Sequence, residues 1–452
     1  MRRIVISSSA AILGLLVIAA SVGTACSSKS AGGAADASVP VAAGGTGAFG
    51  IVTVNGLQKM YLPLDSGAPA TGNGLIAVVN VGVAGNGILG APAQVTQIDL
   101  GTPDFATATG GDASTVIAAS TSSNKIWFID PNTDTLTKTI TLDPTFGRSS
   151  FSGGGGYVTG IAFDSANHRA ILSVWNGFAL IDLNTKTVTT TILAPPSENF
   201  GFDSVHQRIL APFYECTAST DGTGASPTFC SNYFGADGKT VMSDGLNIID
   251  LTDNTVYTYE DPAASDPNSP LGSEPDSASA DPTSQKIVVP SEGGGYQNVI
   301  DLSSAVFDKT KKTVTAPHQI VQNLPLEGVA IDYTKHFAFW EAEHGSNVAV
   351  ANLSSLDPDA GTTLPATMPS LPGGGSWGNL GDPHGIAVTT GLADGHAVGF
   401  VVDSGLQWVA RVDLEKMSQL TGTDAGDGIL NTTITSDQMA SVVTFLDATK
   451  KP

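Results

Sequence analysis

Glu198, Asp276, Glu327 and His384 hold one position in a recurring phrase of this chain. The three acids stand five residues before Asp203, Asp281 and Asp332, each of which ends a short apolar run. His384 joins them because Gly385-Ile386-Ala387 matches Gly160-Ile161-Ala162, and Thr159 fills the same place ahead of Asp164. Three carboxylates and an imidazole at one level are the residue types that hold a hard divalent cation. Ca²⁺ takes about six to eight oxygens, and separate segments supply them without a contiguous motif. A bound Ca²⁺ polarises an ester or lactone carbonyl, with His384 or a carboxylate as general base. Glu215, Glu292, Glu341, Glu343, His344 and Asp403 follow second strands of the same repeat and are expected at the same end. The plainer reading stands beside this one: acids at strand ends of an acidic chain are solvated or bonded to loop N–H groups.

The repeat itself has to position these residues. A hydrophobic-Asp-Leu phrase recurs at Asp130, Asp182, Asp250, Asp301 and Asp413, with Asn80 and Asn352 as looser copies. From Asn80 the steps are 50, 52, 68, 51, 51 and 61 residues. That period in a Gly-rich, strand-rich chain marks a β-propeller with one four-stranded blade per repeat. Residues 159–193 show the plan: Thr159 to Asp164, Arg169 to Val174, Phe178 to Leu183 and Val188 to Leu193 read as strands, with Asn176-Gly177 and Asn184 to Thr187 as turns. Ile98-Asp99-Leu100 also fits the phrase but lies only 31 residues before Asp130, so it reads as the outer strand of unit one. The expected fold is all-β, a β-propeller of seven four-stranded blades over residues 47–452, with six or eight blades as the alternatives. Unit two has Thr115 to Ala119 and Lys125 to Asp130 as strands, and Val442 to Leu446 is the expected closing strand. Successive strands run up and down, so the start of each first strand and the end of each second strand share one end of the channel, the mouth.

The wording of two segments is specific. Ser123-Asn124-Lys125-Ile126-Trp127-Phe128-Ile129-Asp130 with Asn132-Thr133-Asp134-Thr135, and Pro383-His384-Gly385-Ile386-Ala387-Val388, resemble the YVTN/NHL-type propellers of bacteria. The resemblance covers most of residues 47–452. It implies the fold; such propellers include both binders and enzymes. A Ca²⁺-dependent lactone hydrolase on this scaffold would resemble the gluconolactonase family, whose catalytic motifs no segment here matches.

Residues 1–25 read as a signal peptide, with Arg2 and Arg3 ahead of the short apolar stretch Ala10 to Ala20. Val22-Gly23-Thr24-Ala25-Cys26-Ser27-Ser28 resembles a bacterial lipoprotein signal, which implies a lipid on Cys26; ordinary cleavage after the small residues is the alternative. Ser27 then resembles an outer-membrane sorting residue. Residues 26–46, rich in Ser, Ala and Gly, read as a flexible tether. With Cys26 lipidated, Cys216 and Cys230 remain, and export to an oxidising compartment makes a disulfide worth about 3 kcal/mol the expectation, two free buried thiols being the alternative.

The formal charge is −22 with 14% charged residues, which describes a globular chain poor in bases. Phosphate neutralisation needs Lys/Arg patches, so nucleic acid is excluded as a partner, and so is a basic membrane-binding face. No Gly-x-Ser-x-Gly, Walker, dinucleotide, His-Glu-x-x-His or Cys-x-x-Cys-His segment occurs. Asp130 to Asp134 looks like the start of an EF-hand loop but lacks its Gly and Glu, so it reads as a hairpin. Trp175, Trp340, Trp377 and Trp408 serve either as stacking surfaces for flat ligands or, more commonly, as packing between blades. Two function readings follow. The first is a monomeric envelope lipoprotein whose propeller mouth binds a small molecule or an envelope protein, touching membrane only through its lipid. The alternative is the Ca²⁺-dependent hydrolase of a lactone or small ester.

Overall fold

The computed structural model describes residues 50–64, 73–83, 87–88, 95–146 (without 105, 121 and 122), 158–213 (without 175, 176, 196 and 198), 244–322 (without 267 and 268), 326–341, 348–355, 383–389, 398–403 and 408–414. The signal segment, tether, Cys26, Cys216, Cys230, Glu198, Glu215, Glu343, His344 and residues 442–446 lie outside the described residues.

The described chain is all-β apart from a few 3₁₀ turns, and its strands form seven sheets. Sheet one holds β1 (Gly50–Val54), β2 (Leu57–Leu64), β3 (Leu75–Val83), the short β4 (Gly87–Ile88) and β5 (Val95–Asp99). Sheet two is β6 (Ala108–Gly111), β7 (Val116–Ala119), β8 (Lys125–Asp130) and β9 (Thr135–Thr141). Sheet three is β10 (Val158–Asp164), β11 (Arg169–Val174), β12 (Gly177–Asp182) and β13 (Thr187–Leu193). Sheet four begins with β14 (Gly201–Asp203), β15 (Arg208–Phe213), β16 (Gly245–Asp250) and β17 (Thr255–Tyr259). Sheet five is β18 (Ser279–Asp281), β19 (Lys286–Ser291), β20 (Tyr296–Asp301) and, after an inserted hairpin of β21 (Val306–Asp308) and β22 (Thr313–Thr315), the outer strand β23 (His318–Gln322). Sheet six is β24 (Gly328–Asp332), β25 (Phe337–Glu341) and β26 (Val348–Asn352); sheet seven is β27 (Pro383–Thr389), β28 (Val398–Asp403) and β29 (Trp408–Asp413).

Each first strand touches the first strands of the flanking sheets: β1 meets β6, then β10, β14, β18, β24 and β27 follow, and β27 returns to β1. The fold is a β-propeller. Its inner strands converge so closely that small residues are required. A Cβ on Gly110 would lie 2.9 Å from Ile161 of sheet three, and one on Gly201 would lie 2.9 Å from the Ala278 carbonyl ahead of sheet five. Middle strands are buried on both faces, as in β11 and β12, because each sheet is sandwiched between two others. The outer strand β13, Thr-rich, alternates exposed and half-buried positions. The core is therefore a series of layers between neighbouring sheets. Trp127, Tyr61, Ile76 and Val54 fill the layer between sheets one and two, and Trp340, Val288, Val329 and Leu353 the layer between five and six.

Several expectations need correction. Sheet two has an inner strand, Ala108–Gly111, that the sequence reading did not mark, ahead of Val116–Ala119. Five sheets carry four or more strands, while sheets six and seven show three among the described residues. Sheet four grows to six, because β22 pairs in parallel with its outer strand β17 (Thr258↔Thr313) and β21 pairs with β22. Ile98-Asp99 does form the outer strand of sheet one, with Ile76 opposite Ile98.

Candidate functional site

The ends of the channel differ in what their acids do. At the mouth, Asp276 and Glu327 sit just before β18 and β24, and both are buried. A belt of bonds runs through this level. Ser173 Oγ of β11 donates to the Ser197 carbonyl at 2.5 Å, and Ser197 Oγ to the Asn199 carbonyl at 2.8 Å. Asn199 N–H donates to the Asp276 carbonyl at 3.2 Å, and Ser277 Oγ to the Glu327 carbonyl at 2.7 Å. The belt fixes the backbone of both acids across sheets three to six.

Other predicted residues arrive at the same end. Glu341 closes β25 opposite Gly328, the residue after Glu327. Asp403 closes β28 opposite Pro383, the residue before His384, and His384 lies inside β27 rather than ahead of it. Glu292 opens the turn between β19 and β20. That turn is held by Glu292 N–H to the Glu274 carbonyl (2.9 Å), Gly294 N–H to the Ser273 carbonyl (3.0 Å) and Ser291 Oγ to the same Ser273 carbonyl (2.5 Å). A Cβ on Gly293 would lie 2.2 Å from Glu274 Oε2, so the Glu274 carboxylate lies directly over this glycine and would have to turn aside for a larger residue. Sequence reasoning missed Glu274 and Asp244. Asp244 Oδ2 accepts from Ser269 Oγ at 2.9 Å and Oδ1 faces the Glu274 N–H at 3.5 Å. The signal was position: Asp244 directly precedes β16 as Gly295 precedes β20. Among the described residues no three His, Cys, Asp or Glu side chains gather closely enough to hold a metal ion. Trp340 is fully buried and packs between sheets.

At the opposite end, acids at or just after the ends of first strands close turns, and some of them reach a neighbouring sheet. Asp203 Oδ1 accepts from the N–H groups of Val205 and His206, and Asp281 Oδ1 from those of Thr283 and Ser284. Asp203 Oδ2 stays within its turn, meeting His206 Nδ1 at 2.8 Å, whereas Asp112, Asp164 and Asp281 reach across a seam. Ser165 Oγ donates to Asp112 Oδ2 at 2.7 Å, Gln207 Nε2 to Asp164 Oδ1 at 3.4 Å, and His336 Nδ1 meets Asp281 Oδ2 at 2.5 Å. Arg169 Nε donates to Asp164 Oδ2 at 2.8 Å. The hydrophobic-Asp phrase has the same explanation. Asp130, Asp182, Asp250, Asp301 and Asn352 each accept a backbone N–H two or three residues on, closing the outer hairpin. The EF-hand lookalike is such a hairpin. Its Asp134 accepts from Lys59 Nζ (2.8 Å) and Tyr61 Oη (2.7 Å) of sheet one. Burial, then that bond and the charges of Asp134 and Asp130, hold the Tyr61 phenol far above its ordinary range.

Burial pushes the Asp112 carboxyl up, but bonds from Ser114, Ser165 and Thr115 outweigh it and leave the group below its usual value. A depressed carboxyl contributes stability above its unfolded value, near pH ~4, and loses that contribution as pH falls through its folded one. Asp112→Asn should therefore lower the urea midpoint more at pH 7 than at pH 3; an equal loss at both would show that the charge plays no part.

No protein-family profile matches the chain, and no curated protein matches it. Several solved structures resemble the chain at low identity. Hydrazine synthase of Kuenenia stuttgartiensis is 14% identical over 69% of this chain and 77% of its own, with a TM-score of 0.45. The Cps50 (Swd1) β-propeller domain of Myceliophteria thermophila is 9% identical over 67% of this chain and 80% of its own, at 0.43. PorZ, a surface component of the type-IX secretion system of Porphyromonas gingivalis, is 11% identical over 84% of this chain at 0.46, and the match spans 38% of PorZ. None of the three exceeds a TM-score of 0.46, and nothing is carried over from them to this chain.

Proposed function

We propose that the chain is an exported, lipid-anchored propeller of the YVTN/NHL type that binds a small molecule or an envelope protein at its mouth. The supporting observation is the mouth itself, where Asp276 and Glu327 are buried just ahead of the first strands of two neighbouring sheets. β15 ends and β16 begins at the mouth, with Phe213 opposite Gly245, and connections on a rigid scaffold are where binding residues concentrate. The seven sheets are read as seven blades, one per sequence repeat, over residues 47–452. The Arg2-Arg3 segment, the apolar stretch and Cys26 supply the address, and the tether holds a monomer at the envelope.

Two measurements test this. Palmitate labelling of the expressed full chain should mark the protein, and Cys26→Ser should lose the label and release the protein from the membrane fraction; unlabelled wild-type protein removes the anchor. Thermal unfolding of the domain should be unchanged by EDTA or saturating Ca²⁺. A rise in Tm with Ca²⁺ that Glu327→Gln abolishes would instead place a cation at the mouth and turn the question to lactone hydrolysis.

A further inference from the structure

His318 opens β23 directly after the inserted hairpin has paired with the edge of sheet four. Its side chain is 9% exposed and that of Asp261 12%. Nδ1 lies 3.0 Å from Asp261 Oδ2, and Nε2 lies 2.8 Å from Asn298 Oδ1 on β20. The Asn298 amide has one workable orientation. Its Nδ2 donates to the carbonyls of Leu271 and Val289, both at 3.0 Å, and a reversed amide would set oxygen against two oxygens. Oδ1 is therefore an acceptor, and His318 Nε2 has to donate to it. Asp261 Oδ1 accepts from Ala263 N–H at 2.8 Å, and the ionised Oδ2 is likewise an acceptor, so Nδ1 has to donate as well. A neutral imidazole carries one N–H; two donated bonds require two.

We propose that His318 is an imidazolium in the folded protein and that, with Asp261 and Asn298, it forms a proton-dependent clasp holding the β21–β22 hairpin across sheets four and five. The other groups around it leave this charge in place. Tyr259 meets the ring edge-on with centroids 6.4 Å apart, and its hydroxyl donates to the Ala316 carbonyl at 3.4 Å. Burial, then the Asp261 charge, holds that phenol well above its ordinary range, so it is neutral. Glu260 engages through its backbone N–H, bonded to the Val314 carbonyl at 2.9 Å. Among the described residues no Lys or Arg pairs with Asp261, so His318 is its counter-ion. Asn247 holds the matching place in sheet four, and its Oδ1 accepts from Thr258 Oγ1 at 3.4 Å. The clasp belongs to the seam that carries the hairpin.

The clasp is complete while both ring nitrogens are protonated. Raising pH removes one proton and leaves one acceptor without a donor. The test uses the full mature chain labelled with ¹⁵N-histidine. A long-range ¹H–¹⁵N correlation at pH 7, with His318 assigned by its loss in His318→Gln, should show both nitrogens in the protonated region; one bare nitrogen overturns the proposal. Amide exchange, corrected for intrinsic rate, reads the mechanical part at Thr258 and Glu260, whose N–H groups bond to Lys312 and Val314 carbonyls. His318→Gln should reduce their protection about tenfold relative to Leu172 in sheet three. The wild-type protein should lose the same protection over the pH interval in which the spectrum shows the ring losing its proton. Protection that survives both the substitution and the deprotonation sinks the clasp.

Discussion

Replacing Trp127 by alanine should lower the stability of the whole ring by about 3–5 kcal/mol. Trp127 is fully buried in β8, with Ala118 and Thr139 as its cross-strand partners. Its indole fills the layer between sheets one and two against Tyr61, Ile76, Val78 and Ile98. No smaller side chain nearby can move in, because both sheets are pinned to further neighbours. The indole Nε1 makes no hydrogen bond, and a buried N–H left in that state is itself destabilising by about 1–3 kcal/mol. Trp127→Phe removes that N–H along with some volume, so it should cost far less than alanine, about 1.5 kcal/mol at most. Urea unfolding should show one transition for all three proteins, with the midpoint ordered wild type, Phe, Ala. A separate early transition in Trp127→Ala would mean that the layers unfold independently; a Phe variant as unstable as Ala would mean that the ring size of indole, and not apolar filling, is what the layer needs.

The parts of the fold that were legible in sequence are the ones fixed locally. Middle and third strands are β-branched or aromatic, as in Lys125–Asp130 and Arg169–Val174, and their turns carry Asp, Asn and Thr that bond the next N–H groups. The missed first strand of sheet two is Ala-Thr-Gly-Gly, a composition that argues against a strand. It is a strand because it lies where seven sheets converge, and the crowding that excludes Cβ at Gly110 is visible only once Ile161 is beside it. The β21–β22 hairpin was missed for a related reason. Its parallel bond to β17 joins residues that the chain separates by a whole sheet, and no local pattern marks such a pairing.

The site was legible as a level and not as a constellation. Alignment of the repeats assigned Asp276, Glu327, Glu341, His384 and Asp403 to one end; the registers of β25 and β28 set Glu341 opposite Gly328 and Asp403 opposite Pro383, next to Glu327 and His384 in sequence. What periodicity cannot report is sideways contact. Glu274 over Gly293, and Asp244 beside Ser269, depend on a connection folding back onto a neighbouring turn. The repeat also misdirected attention: the Asp used to align the units belongs to the opposite end, and its regularity reflects turn closure.

That regularity yields the second large effect. Asp281→Ala should cost about 3–5 kcal/mol, the range for removing one partner of a buried ionic hydrogen-bond set. The carboxylate is fully buried at the end of β18. It accepts from the N–H groups of Thr283 (3.0 Å) and Ser284 (3.2 Å), from Ser284 Oγ (2.6 Å), and meets His336 Nδ1 of sheet six at 2.5 Å. Alanine leaves four donors facing a void that water cannot fill from the core side. His336→Ala removes only the seam bond, since Ser284 still serves the same oxygen, and should cost about 1–2 kcal/mol. The double variant then separates turn closure from seam closure. If Asp281 acts across the seam, the two losses will fall short of additivity by about 1 kcal/mol or more. Full additivity would assign Asp281 to its own turn alone and leave the seam between sheets five and six to the apolar layer of Val288, Val329 and Trp340.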